Sequence, residues 1–236
     1  MLRNLRRALP DLRRGRDAAL RHYGRFVSRD DLVFDVGANI GERTAIFLAL
    51  GARVVAVEPQ ASCAQRLRER FADAVRVVEA AAGPEPGEAE LLVASYHTIS
   101  SLSPKWVEEV RASGRFSEFT WDRRVRVPVT TLDALIERHG LPAFCKIDVE
   151  GYELGVIQGL SRSIPALSFK FTHELLPSRL ECVGRLDALG MSRFNFSEGE
   201  SMRLAFRRWL DREEMIAFLR ATPRAATFFG DVYAAA

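Results

Sequence analysis

The sequence lacks the features that place a protein in a membrane or send it across one. Its 236 residues contain no apolar run close to the roughly 18 to 20 residues that a membrane-spanning helix needs. The N-terminus also lacks the uninterrupted apolar stretch of a secretory signal. We therefore expect a cytoplasmic protein.

Cysteine is scarce, and its spacing argues against two kinds of site. The chain has three cysteines, Cys63, Cys145 and Cys182, and none belongs to a Cys-x-x-Cys pattern. An odd number of widely spaced cysteines supports neither a disulfide framework nor a zinc site. We predict three reduced, packed thiols.

Net charge is also small, but it is unevenly placed. A net charge of +3 is thin support for a polyanionic partner. Residues 1–29, however, hold nine arginines against two aspartates, with leucines at helical spacing. We interpret 1–29 as a basic helical arm and 30–236 as a single domain. The arm either lies solvated over that domain or contacts an anionic surface or partner.

Beyond the arm, short β-branched runs alternate with amphipathic segments of helix length. This alternation is typical of β-α-β units around a parallel sheet, so the predicted fold class is α/β. The rhythm breaks over 88–130, where we expect substrate-specific elaboration, since scaffolds carry recognition on variable connections. Near the C-terminus the pattern predicts short strands at 192–196 and 201–206.

The first predicted strand ends in a glycine turn, Asp35-Val-Gly-Ala-Asn-Ile-Gly41. Such turns lie where open α/β sheets bind ligands, and glycine lets the backbone approach a ligand closely. A dinucleotide site favours Gly-x-Gly-x-x-Gly, whereas here Asn39 takes the middle position and Gly41 comes one residue early. S-adenosylmethionine fits better, because it has no phosphate and carries positive charges that Asp35 would stabilise. We predict that Asp35, Gly37, Asn39 and Gly41 bind this cofactor.

Acidic residues end the next two predicted strands. Glu58 lies 21 positions after Gly37, close to the roughly 20-residue separation of an acidic ribose ligand in such folds. Alone, Glu58 would be read as a surface residue before a proline turn. Glu79 either accepts a hydrogen bond from the adenine amino group or is solvated. We include both among the predicted cofactor-binding residues.

Several motifs together resemble the FkbM family of methyltransferases. They are Lys146-Ile-Asp-Val-Glu-Gly-Tyr-Glu153, the most specific, with the glycine turn, Glu58-Pro59, Ser100-Ser-Leu102, Thr131-Leu-Asp133 and Gly230-Asp-Val-Tyr-Ala234. The similarity spans about residues 31–233 and leaves out the basic arm. It implies a Rossmann-like class I methyltransferase with a mostly parallel seven-stranded sheet flanked by helices. It further implies S-adenosylmethionine as methyl donor and a hydroxyl oxygen on a sugar, polyketide or other metabolite as acceptor.

Three charged residues, Lys146, Asp148 and Glu150, share one side of the predicted strand end by alternation. They form either an internal ion pair that caps the core or a catalytic group that faces the acceptor. We predict Asp148 and Glu150 as catalytic residues, with Asp148 as the first choice of general base. Methyl transfer then depends on aligning oxygen, methyl and sulfur and on taking up the hydroxyl proton.

Histidine provides two further candidates. His173 follows the strand predicted over 166–172 and titrates near neutrality, so we include it as a catalytic base, with a structural role as the alternative. His97 ranks behind it. Asp148, Glu150, His173 and Glu174 have the oxygen and imidazole ligands that suit Mg²⁺ or Mn²⁺. Spacing alone does not establish their convergence, and no metal is predicted.

Two rival functions remain open at the level of the sequence. A nucleic-acid methyltransferase would use the basic arm and Trp121-Asp-Arg-Arg124 for phosphate contact and base stacking. Against it, the Asp148 segment lacks the Asn-Pro-Pro-aromatic pattern of many enzymes that methylate base amino groups. The other rival is a non-catalytic protein that binds S-adenosylmethionine, which the intact Asp35, Glu58 and Asp148 disfavour. An NAD-dependent oxidoreductase ranks below both.

Overall fold

The computed structural model describes residues 15–225 and 228–236. The N-terminal half of the basic arm, with its four leucines, lies outside the described residues. Residues 15–23 are helical and are called α1. The other helices are α2 (Glu42–Ala49), α3 (Ala61–Phe71), α4 (Pro104–Ser113), α5 (Leu132–His139), α6 (Glu153–Gln158), α7 (Leu176–Ala188) and α8 (Arg212–Ala221). The strands are β1 (Leu32–Val36), β2 (Arg53–Val57), β3 (Val75–Val78), β4 (Ala81–Ala82), β5 (Gly87–Val93), β6 (Arg123–Thr130), β7 (Phe144–Ile147), β8 (Ala166–Thr172), β9 (Arg193–Glu198) and β10 (Phe229–Ala235).

Seven strands form the main sheet, in the order β3-β2-β1-β7-β8-β10-β9. All neighbours pair in parallel except β10, which runs antiparallel to both β8 and β9. The expected Rossmann-like, mostly parallel seven-stranded sheet is therefore confirmed. The winding direction reverses between β1 and β7, so a crevice opens beyond their carboxyl ends, where such sheets bind ligands.

Helices cover both faces of this sheet, as the continuous apolar runs of its strands predict. On one face the strands pack with side chains of α5, α6, α7 and α8, and on the other with α1, α2 and α3. Val33 and Phe34 of β1 are both fully buried, although alternation sends them to opposite faces. All three cysteines are free and buried, which confirms the prediction of packed thiols.

The described part of the basic arm packs onto the domain. Ala19, Tyr23 and Val27 are buried in the core cluster of that face, and His22 Nε2 lies 2.8 Å from Tyr233 Oη on β10. The arginines of the same segment remain exposed. Among the described residues, none of the helices combines the length and apolarity needed to cross a bilayer.

The irregular region of the sequence folds into a small unit beside the main sheet. Strands β4, β6 and β5 form a second, three-stranded sheet. Trp106 of α4 and Trp121 are buried together beneath it. The strand predicted over 201–206 is wrong, because Met202 has a positive φ of 51° and the Asn195 side chain engages both the N–H and the carbonyl of Phe206.

Candidate active site

A cavity of about 320 Å³ opens at the carboxyl ends of β1, β2, β7 and β8, at the point where the strand order reverses. Its size is within the usual range of small-ligand sites. The glycine turn after β1 forms one wall and the loop of residues 148–150 after β7 forms another. Residues 96–102, which belong to the small unit, cover a third side.

Gly37 lies where two walls of the cavity cross. Its φ is +80°, and a Cβ atom at this position would lie 1.9 Å from the backbone oxygen of Asp148. Gly41, at the start of α2, has a φ of +85°, and a Cβ there would clash with the Phe71 ring at 2.3 Å. Both positions therefore require glycine, Gly37 to bring the β1 turn against the β7 loop and Gly41 to pack α2 against α3.

The Glu58 carboxylate accepts hydrogen bonds from the glycine turn and from the residue after Pro59. Backbone N–H of Asn39 donates to Glu58 Oε2 at 2.9 Å, and backbone N–H of Gln60 donates to Oε1 at 2.9 Å. The Glu58 carboxylate is 2% exposed, and this burial raises its pKa against the opposing effect of those hydrogen bonds. A carboxylate has about four acceptor sites, so Glu58 keeps capacity for a ligand hydroxyl.

The loop over the cavity is tied to both strand ends by polar side chains. Asn39 Nδ2 and Gln60 Nε2 both donate to the His97 carbonyl, at 3.1 and 2.9 Å. Ser100 Oγ donates to Gln60 Oε1, and Ser101 Oγ donates to the Glu150 carbonyl at 2.6 Å. The Ser-Ser-Leu motif therefore connects the loop of residues 96–102 with Gln60 and with the loop of residues 148–150. His97 and the exposed Tyr96 ring also line the cavity.

Asp35 lines the cavity next to the glycine turn and is 2% exposed. Its Oδ2 accepts a hydrogen bond from Thr44 Oγ1 at 2.6 Å. Burial raises the pKa of Asp35, and neither this bond nor the charge of Lys146 on the neighbouring strand offsets the effect. The side chain thus helps to anchor α2 and presents a carboxyl group to the cavity.

Asp148 is held between two lysines. Lys146 Nζ donates to Asp148 Oδ2 at 2.8 Å, and Lys170 Nζ lies 3.5 Å from the same oxygen. Burial alone would raise the pKa of Asp148, but the two ammonium groups outweigh it and lower that pKa below its ordinary value. The other carboxylate oxygen, Oδ1, has no hydrogen-bond partner in the described protein and belongs to a residue that lines the cavity.

Glu150 follows Asp148 in the same loop and lines the same cavity. Burial, with the nearby carboxylates of Asp148 and Glu153, raises the pKa of Glu150 despite the positive charge of Lys170. A fully buried ion pair, Arg179 with Glu153 at 2.6 Å, supports the loop from behind. The cavity thus contains two carboxylates whose proton affinities differ strongly, an arrangement often found in acid-base sites.

The structure does not bring every predicted residue into the cavity. Glu79 is partly exposed and pairs with Arg68 at 2.7 Å. His173 Nε2 lies 3.1 Å from the carbonyl of Thr222, and Glu174 pairs with Arg115 at 2.6 Å, so neither of these residues lines the cavity. Within the described residues, no group of acidic, histidine or cysteine side chains converges as a metal site.

Sequence reasoning missed four polar residues of this region. Lys170 and Arg43 line the cavity, and Asp231, which is 8% exposed, lies beside Lys170 on the adjacent strand. The available signal was a charge inside an apolar strand, as in Ala166-Leu-Ser-Phe-Lys-Phe-Thr172. Gln60, which holds both Glu58 and the covering loop, followed the Glu-Pro turn without any distinguishing pattern.

A Rossmann-like sheet with a glycine turn after β1, a buried acid after β2 and a cavity at the switch point defines an S-adenosylmethionine-dependent methyltransferase of class I. The chain belongs to the FkbM methyltransferases, since the family model described as Methyltransferase FkbM domain matches residues 35–213. No curated protein matches the chain.

Solved structures with a similar fold are distant in sequence. A precorrin-6y C5,15-methyltransferase from Geobacter metallireducens is 11% identical, with 93% of this chain and 86% of that chain covered and a TM-score of 0.47. A TehB-like SAM-dependent methyltransferase from Corynebacterium glutamicum is 8% identical, covering 93% and 88%, with a TM-score of 0.45. An rRNA methylase from Streptococcus thermophilus is 11% identical, covering 93% and 92%, with a TM-score of 0.43.

Proposed function

We propose that this chain transfers the methyl group of S-adenosylmethionine to a hydroxyl oxygen of an uncharged metabolite, such as a sugar or a polyketide. The observation that carries the proposal concerns Asp148 and Glu150, which together form what we call the floor of the cavity. There an ionised Asp148 keeps one carboxylate oxygen without a partner, and Glu150, whose raised pKa makes its carboxylate form a stronger base, lies two residues away. A hydroxyl group fits this pair because it donates one hydrogen bond and must then lose its proton.

The half of the cavity near β1 and β2 fits the methyl donor. Gly37 leaves space where any side chain would clash. Glu58 can still accept a hydrogen bond, and its sequence separation from the glycine turn is the one expected for an acidic residue that binds ribose. Small residues at 80–82 leave a shallow apolar wall for a flat ring. We assign Asp35, Gly37, Asn39 and Glu58 to the donor, whereas Gly41 acts by packing α2.

The charges around the cavity favour a cationic donor and an uncharged acceptor. The lining side chains include six carboxylates and three cations, which are Asp35, Glu42, Glu58, Asp148, Glu150 and Glu200, and Arg43, Lys146 and Lys170. With Glu150 protonated and the other lining carboxyl groups ionised, five negative charges face three positive ones, and this excess attracts a sulfonium and an ammonium group and repels phosphates. This observation disfavours a nucleic-acid acceptor, for which a basic groove would be expected.

The charged residues of the floor divide the chemical work. Asp148, kept ionised by two lysines, accepts a hydrogen bond from the acceptor hydroxyl and orients it. Glu150 takes the hydroxyl proton, because a base is most effective when its pKa lies near the working pH, and the lowered pKa of Asp148 makes it a weak base. S-adenosylmethionine supplies a methyl group on a sulfonium, which leaves as a neutral thioether. The residues of the covering loop help to exclude water.

Glu58→Ala is expected to weaken binding of S-adenosylhomocysteine by about 10- to 100-fold, because it removes a charged hydrogen-bond acceptor of the ribose. Isothermal titration calorimetry on the full chain measures this change. Glu79→Ala is the matched control, since Glu79 ends the adjacent strand region but pairs with Arg68 outside the cavity. Equal affinities of both variants and the wild type would remove Glu58 from the donor site. Binding of NAD⁺ in place of the sulfur compounds would refute the proposed function.

We also propose that the basic arm contacts an anionic surface. Arg25 and Phe26, which follow α1, line a groove together with residues 204–207 and Trp209. Exposed arginines beside aromatic and aliphatic side chains are typical of segments that lie on the headgroups of anionic membranes.

Replacing Arg25 and Arg207 together by glutamine is expected to weaken binding to phosphatidylglycerol vesicles about 30-fold, since each arginine near such a surface contributes about 1 kcal/mol. Cosedimentation in low salt measures the affinity. The double variant Arg124→Gln and Arg126→Gln, on the exposed strand β6, serves as the control. Equal binding of the wild type to neutral phosphatidylcholine vesicles would contradict the proposal.

A further inference from the structure

Lysine is rare in this chain, and two lysines converge on one carboxylate. The 34 Lys and Arg residues include three lysines, Lys105, Lys146 and Lys170. The latter two both approach Asp148 Oδ2. Lys146 makes the shorter contact, 2.8 Å, and is 3% exposed. Lys170 lies farther away, at 3.5 Å, and is 17% exposed. The two lysines therefore have different roles, one as a fixed partner and one as an additional charge.

Lys170 is placed between two acidic neighbourhoods. On the cavity side lie Asp148 and Glu150, which line the cavity with it. On the neighbouring strand β10, Asp231 is its direct partner in the antiparallel register between β8 and β10. Asp231 is 8% exposed, and its Oδ1 has no hydrogen-bond partner within the described protein. The Lys170 ammonium also lies 5.2 Å from the centre of the Phe229 ring.

We propose that Lys170 is a positioning residue, shared between Asp231 on the neighbouring strand and the Asp148 and Glu150 carboxylates of the cavity, and that this sharing tunes Glu150 as the base of the reaction. The inference rests on the proposed function of Glu150 as the acceptor of the substrate proton. It assigns to Lys170 and Asp231 the adjustment of that base, without contact between Asp231 and substrate.

The other cations near this loop each make their closest contact to a single carboxylate, although the charges of Lys146 and Arg43 also act on Asp231. Lys146 donates to Asp148, Arg43 of α2 pairs with Glu200, and Arg179 of α7 pairs with Glu153 of α6. These groups, with Lys170 and Asp231, are the charges that face Asp148 and Glu150 from the surrounding elements. Lys170 is the cation of this set whose charge acts on both carboxylates of the cavity floor and on Asp231.

The electrostatic directions agree with this arrangement. Burial raises the pKa of Glu150, and the charge of Lys170 is the largest opposing influence. Burial by itself would lower the pKa of Lys170, but Asp148, Glu150 and Asp231 outweigh it, so its ammonium group stays charged. Removing Lys170 therefore makes Glu150 harder to ionise. Burial raises the pKa of Asp231 against the charges of Lys146 and Lys170. In its ionised form Asp231 competes for Lys170, so removing that charge leaves Lys170 to act more strongly on Glu150.

Infrared difference spectroscopy of the full chain across a pH titration tests the proposal, with the protonated-carboxyl band assigned by its loss in Glu150→Gln. Lys170→Met is expected to raise the midpoint of the Glu150 band by about one pH unit, the smaller end of the range for a neighbouring opposite charge. Asp231→Asn is expected to lower the midpoint. Lys170→Arg, which keeps the charge, should restore the wild-type midpoint, and Lys105→Met on the exposed side of α4 should not move it.

The opposite signs of the two shifts separate an electrostatic role from a structural one. Unchanged midpoints, or shifts of the same sign in Lys170→Met and Asp231→Asn, would overturn the proposal. Asp231→Asn keeps the test decisive if Lys170→Met does not fold. Calorimetry with S-adenosylhomocysteine on the same samples distinguishes the two levels of inference. If the wild type does not bind S-adenosylhomocysteine, the proposed function fails. If the wild type binds it but the Glu150 midpoint is the same in the variants as in the wild type, only the role of Lys170 and Asp231 fails.

Discussion

Replacement of Gly37 by alanine is expected to abolish binding of S-adenosylhomocysteine and to lower the free energy of unfolding by about 2 to 5 kcal/mol. Two costs add at this position. The backbone has a φ of +80°, which an L side chain adopts with strain, and the new Cβ would lie 1.9 Å from the Asp148 carbonyl oxygen. The clash can be relieved only by moving the β1 turn away from the β7 loop. Urea unfolding and calorimetry measure the two effects.

Gly114→Ala separates these two costs. Gly114 ends α4 with a φ of +75°, nearly that of Gly37, but a Cβ there would meet no atom within 4 Å. This control should show only the strain of the left-handed backbone, about 1 to 2 kcal/mol, with binding unaffected. A Gly37→Ala protein that binds as well as the control would show that the two loops can separate without loss of the site.

Replacement of Glu150 by glutamine is expected to lower the rate of methyl transfer by about 10²- to 10⁴-fold, the usual contribution of a general base. Burial, with the nearby carboxylates of Asp148 and Glu153, raises the pKa of Glu150 to about 8, so its carboxylate form, which accepts the proton, becomes populated as the pH rises through that value. Wild-type kcat/KM should therefore increase with pH and level off above about 8, and this rise should be absent from the variant. Transfer of labelled methyl groups to a collection of hydroxylated metabolites provides the rate.

Asp148→Asn is the informative comparison for this prediction. The substitution keeps an oxygen able to accept a hydrogen bond but removes the charge that pairs with Lys146. We expect a loss of acceptor orientation, seen as a lower kcat/KM, with the pH-dependent rise retained and S-adenosylhomocysteine still bound. If the rise disappears in Asp148→Asn and persists in Glu150→Gln, Asp148 is the base, as the sequence alone suggested.

Much of the fold was readable from the sequence because local patterns and global structure agree. The apolar runs at 31–36, 53–58 and 166–172 are strands of the buried parallel sheet, which needs apolar side chains on both faces. Where polar side chains rather than apolar burial decide the backbone, prediction failed. Residues 201–206 read as a strand, but the Asn195 side chain takes hydrogen bonds that a neighbouring strand would otherwise make.

The candidate site was predictable where it depends on strand ends. Parallel strands bring their carboxyl ends to one edge, so Asp35, Glu58 and Asp148 were expected to meet, and the cavity includes all three. Glu79 and His173 also follow strands, but partners elsewhere in the fold hold them outside the cavity. Arg68 of α3 pairs with Glu79, and the carbonyl of Thr222 lies beside His173.

The sequence by itself determined the fold class, the glycine turn, the acid after β2 and the family, because each depends on residues close together in the chain or on the period of apolar residues. Only the tertiary structure distinguishes the surroundings of Asp148 from those of Glu150, on which the proposed division of their roles rests. Their proton affinities depend on burial and on Lys170, which reaches them from β8 and has Asp231 of β10 as its strand partner. Electrostatic interactions act through space over a few ångströms, and no spacing along the chain encodes that distance.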